Sequence, residues 1–321
     1  MEKQIRQVTF DTNSEKIGVT TPFGFAIFDS ETMLLLKNPR FQVGGGEQIS
    51  LLSDSNLVAV SGDGANGGVP KSTLLLWDIN TDQIFRQIDH STIIVDVFLT
   101  RDVLIVVRLD NISFYNTADF ALIQNVQAPV KSKGIVSIVT TFANSYIVLP
   151  SNDGQCLCIC DFHDPSHVLG KIPIASSKVS MTAFDREGNL LAIAADDGKI
   201  VQLWSVRHQK HITSYRRGVF GTEVICIAFD NLSNYFLMTS KRGTMHIFAI
   251  PTPSEAKQYA EQELRSKYTL NLKKEIVYYC QFDISGYIIN GITGTGMMKK
   301  IRLDLEKNEI VPVGEKVLDI K

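Results

Sequence analysis

The chain has 321 residues, of which 44% are hydrophobic and 21% charged, and its formal net charge is −2. This composition can fill a sizeable core, which excludes a disordered chain, and the near-neutral charge argues against nucleic-acid binding through a broad positive field. No apolar run approaches the roughly 20 residues of a membrane span, and Met1–Gln4 has no signal-peptide pattern, so we expect a soluble, cytoplasmic protein.

A repeat of apolar strands and tight turns runs through the whole chain. In each repeat one strand ends in an aromatic or apolar residue followed by a small or polar one. The seven strand ends are Phe28-Asp29, Trp77-Asp78, Tyr115-Asn116, Cys160-Asp161, Trp204-Ser205, Phe248-Ala249 and Leu303-Asp304. The marks are 49, 38, 45, 44, 44 and 55 residues apart. This matches the roughly 40–45 residues of a four-stranded propeller blade, with two steps lengthened by loops. The sequence therefore predicts an all-β fold, a seven-bladed, WD40-like β-propeller.

This propeller is expected to form a single domain over residues 1–321. Two domains joined by a linker are the alternative, but no spacer rich in Pro, Gly or Ser supports them. Either Gln4–Phe10 or Gly314–Lys321 could supply the strand that closes the ring. In the second blade, Gly62–Lys71 is rich in turn-forming residues and is predicted to be an exposed, mobile loop.

Three of the five cysteines, Cys156, Cys158 and Cys160, alternate along one strand of the fourth blade. A metal site is conceivable, but no Cys-x-x-Cys pair or histidine cluster accompanies them. Buried, reduced thiols are the favoured interpretation, and no metal or other cofactor is expected.

An arginine pair ends a predicted strand of the fifth blade, in the sequence Tyr215-Arg216-Arg217-Gly218. Successive strand side chains point to opposite faces, so the two arginines should serve two pockets. Arginine suits bidentate recognition of phosphate, and the glycine permits a sharp turn or a close approach to a ligand. The stretch from Lys199 to Arg217 is basic and has no acidic residue. A solvated strand end beside an ordinary basic patch is the alternative.

Polar side chains follow in the sixth blade. Ser240, Thr244 and His246 could surround one phosphorylated head group together with an arginine. The alternative is that the two hydroxyl residues form turns and the histidine is a hydrogen-bonded residue between blades.

The segment Pro251–Tyr268 is predicted to contain an inserted amphipathic helix. Thr252 offers an N-cap and Glu255 stands at the N3 position. Tyr259 and Leu264 are the bulky members of its apolar stripe and are candidates for membrane contact. A helix folded back on the propeller with this stripe buried is the alternative.

Sequence motifs of enzymes are missing. The chain has no Gly-x-Ser-x-Gly, no phosphate-cradling Gly-x-x-x-x-Gly-Lys-[Ser/Thr] and no His-Glu-x-x-His. Gly291–Gly296 resembles a phosphate loop, but a predicted strand follows it rather than a helix, so a hairpin turn is predicted. No catalytic residue is therefore proposed.

Tyr-Arg-Arg-Gly at 215–218, followed by Thr-Ser-Lys-Arg-Gly-Thr-Met-His-Ile-Phe at 239–248, resembles the PROPPIN family of propellers, which includes the WIPI proteins. The resemblance implies binding of phosphatidylinositol 3-phosphate and phosphatidylinositol 3,5-bisphosphate through two rim pockets. It also implies peripheral docking on endosomal, vacuolar or pre-autophagosomal membranes in autophagy or protein transport. A lipid-transfer protein of the autophagy machinery is the implied partner, with the second-blade loop as a plausible contact, and we expect a monomer in solution.

The family's two pockets can be carried over to this chain. The second pocket is complete, with its residues at Arg217, Gly218, Ser240, Thr244 and His246. The first pocket keeps Arg216, but Ile193, Lys199 and Gln202 stand where the family has serine, threonine and arginine. The sequence therefore predicts a weak first pocket. A protein-interaction scaffold without lipid binding is the alternative function.

Overall fold

The computed structural model describes residues 5–11, 13, 15–252, 255, 262–272, 278–283, 285–304, 307 and 309–318. These residues form seven sheets, each built from a meander of four antiparallel strands. Two short 3-10 helices, Ala65–Gly67 and Ser176–Lys178, accompany the strands. The chain is an all-β, seven-bladed β-propeller, as predicted. Among the described residues, no helix is long and apolar enough to cross a membrane.

The first three blades contain twelve strands. They are β1 Gln7–Phe10, β2 Lys16–Thr21, β3 Gly24–Asp29, β4 Leu35–Lys37, β5 Gly46–Leu51, β6 Leu57–Gly62, β7 Thr73–Asp78, β8 Gln83–Asp89, β9 Ile94–Leu99, β10 Val103–Arg108, β11 Asn111–Asn116 and β12 Leu122–Gln127. Within each blade the strands pair in chain order, so the second and third strands are central and the first and fourth are edges.

The fourth, fifth and sixth blades follow the same plan, with one addition. Their strands are β13 Ser137–Thr140, β14 Ser145–Pro150, β15 Leu157–Asp161, β16 Val168–Ile172, β17 Val179–Phe184, β18 Leu190–Ala195, β19 Ile200–Ser205, β20 Lys210–Arg216, β21 Val224–Phe229, β22 Tyr235–Ser240, β23 Thr244–Ala249, β24 Glu263–Arg265 and β25 Tyr268–Asn271. β25 is the fourth strand of the sixth blade, whereas β24 is a fifth strand of the fifth blade.

The seventh blade contains β26 Tyr278–Phe282, β27 Ile288–Thr293, β28 Met297–Asp304 and β29 Glu309–Val317. The stretch Gly291–Gly296 ends β27 and forms the hairpin turn to β28, as predicted. Neither candidate for a closing strand crosses to another blade, since β1 belongs to the first blade and β29 to the seventh. The amides of Ile5 and Leu318 instead donate to the carbonyls of Gly294 and Gly296, at 2.8 and 2.7 Å.

The seven residue pairs that mark the repeat end the third strand of each blade. In five blades, the register between the third and fourth strands shifts beside the marked apolar residue. These five residues are Phe28, Trp77, Tyr115, Cys160 and Trp204. Such a bulge increases the local twist, so the sequence mark coincides with a structural feature of the blade.

The contacts divide the chain into two compact units. The first contains Met1–Gln127, Ile292–Lys299 and Glu315–Lys321, and the second contains Ala128–Gly291 and Lys300–Gly314. In each unit the core lies between successive blades. In the second unit one such cluster joins the fifth and sixth blades and includes Leu203, Tyr215, Phe236 and Phe248. The single-domain assignment stays a prediction.

The second-blade loop has an exposed tip and an anchored base. Asp63 is buried, forms an ion pair with Arg6, and accepts a 2.8 Å hydrogen bond from the amide of Ala65. The loop is therefore exposed at its tip, Asn66 and Gly67, as predicted, whereas its base is held in place by the contacts of Asp63.

Two of the three thiols of the fourth blade are buried in its sheet, whereas Cys156 precedes β15 and is half-buried, so the three cysteines do not all lie in one strand as predicted. Cys158 and Cys160 are buried in β15, and burial raises the pKa of Cys158 to about 11 and that of Cys160 to about 12. Both therefore carry their protons at neutral pH. In the part of the chain that the structure describes, no three metal-binding side chains come together.

Candidate anion-binding site

The arginine pair stands at the end of β20, and its two members differ in exposure. Arg216 is the last residue of the strand and is half-buried, whereas Arg217 is 9% exposed. Tyr215, fully buried, packs edge-on against Phe236 and Phe248, with ring centroids 4.9 and 5.2 Å away. This packing fixes the strand end. Because successive side chains of a strand point to opposite faces, the two arginine side chains leave it in different directions.

The guanidinium of Arg217 is held by backbone carbonyl groups. Its Nε donates to the carbonyl of Gly198 at 2.8 Å, and an Nη donates to the carbonyl of Phe220. Within the described ranges, no carboxylate forms an ion pair with it. Burial lowers the pKa of Arg217, and the nearby charge of Arg242 lowers it further. The guanidinium nevertheless remains a cation at neutral pH, because the ordinary pKa of arginine lies far above it.

Gly198 is required where it stands. Its φ is +63°, and a Cβ there would lie 2.0 Å from the carbonyl oxygen of Thr222. Any other residue would displace the turn whose carbonyl receives Arg217. Gly218 differs, because its φ is not positive and a Cβ on it would meet nothing within 4 Å. The open space beside Gly218, rather than backbone strain, gives a ligand room to approach.

Two hydroxyl groups and an imidazole line the neighbouring strands. Ser240 and Thr244 are directly opposite in the β22–β23 hairpin, and their side-chain oxygens are 2.9 Å apart. His246 follows two residues later on the same face of β23. Its Nδ1 is 3.3 Å from the hydroxyl oxygens of both Ser266 and Thr269.

His246 is neutral at neutral pH. Burial lowers its pKa to about 4, and the positive charge of Arg217 adds to this effect. The residues predicted for the second pocket are thus one cation, two hydroxyl groups and a neutral imidazole, all of which can bind phosphate oxygens.

The first pocket is occupied by the protein's own groups. Lys199 forms an ion pair with Asp197 at 3.1 Å, and Gln202 accepts a 2.9 Å hydrogen bond from the indole of Trp204. Ile193 is buried in β18 and offers no polar atom.

Arg216, the remaining member of the first pocket, has an internal anionic partner. It donates from Nη2 to one carboxylate oxygen of Glu263 at 2.8 Å and from Nε to the other. The guanidinium predicted to bind phosphate in the first pocket is therefore already paired with a carboxylate.

The predicted helix in Pro251–Tyr268 is only partly consistent with the structure. Its cap is formed, because the carboxylate of Glu255 accepts from the amide and hydroxyl of Thr252 at 2.9 and 2.7 Å. The apolar stripe does not continue as a helix, because Leu264 lies in β24 and Tyr268 in β25.

Leu264 is partly buried and packs against the cluster between the fifth and sixth blades. This contact favours the alternative in which the apolar stripe is buried on the propeller, and membrane contact by Leu264 stays a prediction. Tyr259 lies outside the described residues.

Sequence reasoning missed several members of this site. They are the side chains of Arg242, Glu263, Ser266 and Thr269 and the carbonyl groups of Gly198 and Phe220. Backbone acceptors carry no side-chain signal. Glu263, Ser266 and Thr269 were hidden because their segment was interpreted as a helix and its ending.

Comparison with known proteins agrees with the predicted fold and family. A family model described as PROPPIN matches residues 68–284. The chain is 23% identical over 261 residues to SVP1-like protein 2 of Schizosaccharomyces pombe, covering 81% of this chain and 71% of that protein. It is 26% identical over 245 residues to autophagy-related protein 18 of Dictyostelium discoideum, covering 76% of this chain and 64% of that protein.

Solved structures with the same fold include Hsv2 of Kluyveromyces marxianus, with a TM-score of 0.79, 17% identity, and coverage of 98% of this chain and 99% of that chain. They also include Atg21 solved with the coiled coil of Atg16, with a TM-score of 0.81, 16% identity, and coverage of 98% and 100%. At such identities these structures support the fold alone. The family match spans more than half of the sequence, including the arginine pair and the residues predicted for the second pocket. The chain therefore belongs to the PROPPIN family.

Proposed function

We propose that this protein is a phosphoinositide effector without catalytic activity. It binds phosphatidylinositol 3-phosphate or phosphatidylinositol 3,5-bisphosphate through the second pocket. It thereby docks peripherally on endosomal, vacuolar or pre-autophagosomal membranes and recruits partners there. The observation that carries this proposal is the largely buried Arg217, whose guanidinium bonds among the described residues to backbone carbonyl groups. Arg217 directly follows β20, and the next blade along the chain carries Ser240, Thr244 and His246.

A phosphate monoester suits these groups in charge and in hydrogen bonding. Arg217 forms no ion pair with a described carboxylate. The charge of Asp197 partly offsets the lowering of the Arg217 pKa by burial, but that carboxylate is already paired with Lys199, so an incoming anion does not have to break an ion pair to reach Arg217. The Ser240 and Thr244 hydroxyls bond to each other and can rotate to donate to phosphate oxygens. Charge-assisted hydrogen bonds are about twice as strong as neutral ones, and burial strengthens them further.

The loop after the arginine pair supplies an apolar contact for the bilayer surface. Val219 is 72% exposed and Phe220 is 69% exposed. The guanidinium of Arg242 stands 5.2 Å from the centre of the Phe220 ring. An exposed aromatic ring beside a cation suits the interfacial region of an anionic membrane, where apolar burial and charge attraction act together. This loop would enter the interface when Arg217 holds a head group.

Recruitment of a protein of the autophagy machinery completes the proposal. Its support is the relative Atg21, whose structure was solved with a coiled coil of Atg16. The anchored second-blade loop, Gly62–Lys71, is the proposed contact for a partner such as a lipid-transfer protein. The competing function is a protein-interaction scaffold that does not bind lipid.

Flotation of the purified protein with liposomes tests the proposal. Liposomes carrying phosphatidylinositol 3-phosphate or the 3,5-bisphosphate should carry the protein upward. Liposomes carrying an equal charge of phosphatidylserine should not, because the second pocket recognises a phosphate monoester rather than surface charge. Equal flotation on both, or none on either, would favour the scaffold.

A further inference from the structure

The fifth blade has a strand that the propeller repeat does not supply. β24 lies parallel to the edge strand β20, with Ser214 opposite Glu263 and Arg216 opposite Arg265. In the described part of the chain, the other blades have four strands. β24 comes from the insertion after the sixth blade's third strand, so the insertion reaches back to the strand that ends in the arginine pair.

This placement puts a carboxylate on the first arginine of the pair. Two roughly parallel hydrogen bonds join the Arg216 guanidinium to both oxygens of Glu263. The same planar fork binds a phosphate group, so the carboxylate and a phosphate require the same donors. Lys199, the other cation of this pocket, is paired with Asp197. Both cations of the first pocket are therefore neutralised from within the protein.

We propose that Glu263 determines how many head groups the protein binds, by occupying the phosphate position on Arg216. The inference rests on the proposed function and extends it to the first pocket. In the unaltered protein one head group binds, at Arg217, because only that arginine lacks a carboxylate partner among the described residues. The first pocket therefore differs from the family pattern in two ways: three of its residues are different, and the carboxylate of Glu263 occupies Arg216. Removing this carboxylate restores a second site for a head group.

The ion pair is well placed to be opened. The Arg216 and Glu263 side chains are 29% and 41% exposed, so water and salt weaken their attraction. β24 has only three residues, and its Leu264 alone packs against the core cluster. Replacing the carboxylate can therefore free Arg216 without removing the apolar contact that holds the strand.

Calorimetric titration with the soluble head group inositol 1,3-bisphosphate tests this inference on the full chain. The variants are Glu263→Gln, Glu263→Ala, and Glu263→Gln combined with Arg216→Ala. The control is Glu315→Gln, which removes the same charge from an exposed ion pair with Lys299 in the first unit. Thermal melting identifies variants that fold like the unaltered protein, and two different replacements of Glu263 ensure that at least one can be interpreted.

We expect one site in the unaltered protein and in Glu315→Gln, and two sites in both Glu263 variants. In the Glu263 variants, the first pocket should bind the head group at least about tenfold more tightly than it does in the unaltered protein. This second site should vanish when Arg216 is also replaced. One site in every variant would overturn the role of Glu263 while leaving the proposed function intact. Absence of binding in every variant would overturn the proposed function itself, and two sites in the unaltered protein would overturn the closed first pocket.

Discussion

Arg216 and Arg217 are adjacent in the chain, yet the first binds a carboxylate and the second binds two backbone carbonyl groups. The first is partly exposed and the second is 9% exposed. The pair therefore contains one neutralised surface arginine and one largely buried cation without an anionic partner among the described residues. This difference determines what each substitution should do.

Replacing both arginines with threonine should abolish flotation on liposomes that carry phosphatidylinositol 3-phosphate. Each charge-assisted hydrogen bond to phosphate contributes roughly 1.5–3 kcal/mol, and several would be lost together. Circular dichroism should still report a folded β-protein. Unchanged flotation of the double variant would contradict the assignment of the site.

The two arginines should differ in their effect on stability. Arg217→Ala leaves the buried carbonyl of Gly198 and the partly buried carbonyl of Phe220 without their donor, which should cost about 1–3 kcal/mol of unfolding free energy. Arg216→Ala removes only a partly exposed ion pair and should cost less than about 1 kcal/mol. Urea unfolding of the two single variants measures the difference. Equal losses would mean that the Arg217 contacts do not hold the turn.

Head-group affinity should depend mainly on the second pocket. Arg217→Ala should weaken binding of inositol 1,3-bisphosphate by about 10-fold to 100-fold, the equivalent of one charge-assisted hydrogen bond. Gln202→Ala should weaken it far less, because the Gln202 amide oxygen already accepts from Trp204. Calorimetry on both variants checks the ratio, and comparable losses would show that the first pocket takes part in binding.

His246 should make stability depend on pH below neutrality. Its pKa falls from 6.5 to about 4 on folding, so between these values the unfolded chain binds a proton that the folded chain does not. Stability should therefore be full above pH 6.5 and decline as the pH falls towards 4, by about 3 kcal/mol at most.

The variant His246→Gln isolates this contribution from the other titrating groups. Its melting temperature should be lower than that of the unaltered protein at pH 7.5, and the gap should narrow by pH 4.5. A gap that stays constant with pH would show that the imidazole is not held neutral.

Phe220→Ser should separate membrane contact from head-group recognition. The ring is 69% exposed and only its backbone carbonyl contacts Arg217, so the soluble head group should bind with unchanged affinity. Flotation should weaken, since about 0.8 kcal/mol is lost for each buried methylene equivalent removed. Leu232→Ser, at an equally exposed leucine in the β21–β22 turn, is the control. Equal flotation of both variants would show that the loop does not enter the membrane interface.

Leu264→Asp should destabilise the protein because it places a charge against the cluster between the fifth and sixth blades. A loss of about 1–3 kcal/mol is expected. Gln262→Asp, two residues earlier at an exposed position, should leave the melting temperature unchanged. If both variants melt like the unaltered protein, Leu264 does not contribute to the core.

The sequence predicted the blades well because the repeat is a pattern of apolar and turn-forming side chains. The seven marked pairs end the third strands, and four-stranded blades follow from turns that need particular residues. The residues proposed for the second pocket could also be named from the sequence, because their side chains form a motif, and their role in binding stays a prediction. The acceptors of Arg217 could not, since any residue supplies a carbonyl group. The partner of Arg216, Glu263, could not be predicted either. A strand of three residues shows no periodic pattern in the sequence, and the capping residues Thr252 and Glu255 favoured a helix.

The insertion returns to the propeller at two points. β24 pairs with β20 and bonds Glu263 to Arg216, and β25 pairs with β23, where Ser266 and Thr269 contact His246. A protease that cut the chain between Thr252 and Gln262 would leave β20 and β23 in one fragment and β24 and β25 in the other. Strand pairing would still join the two fragments, so the nicked protein should migrate as one species on a native gel and separate only in denaturant.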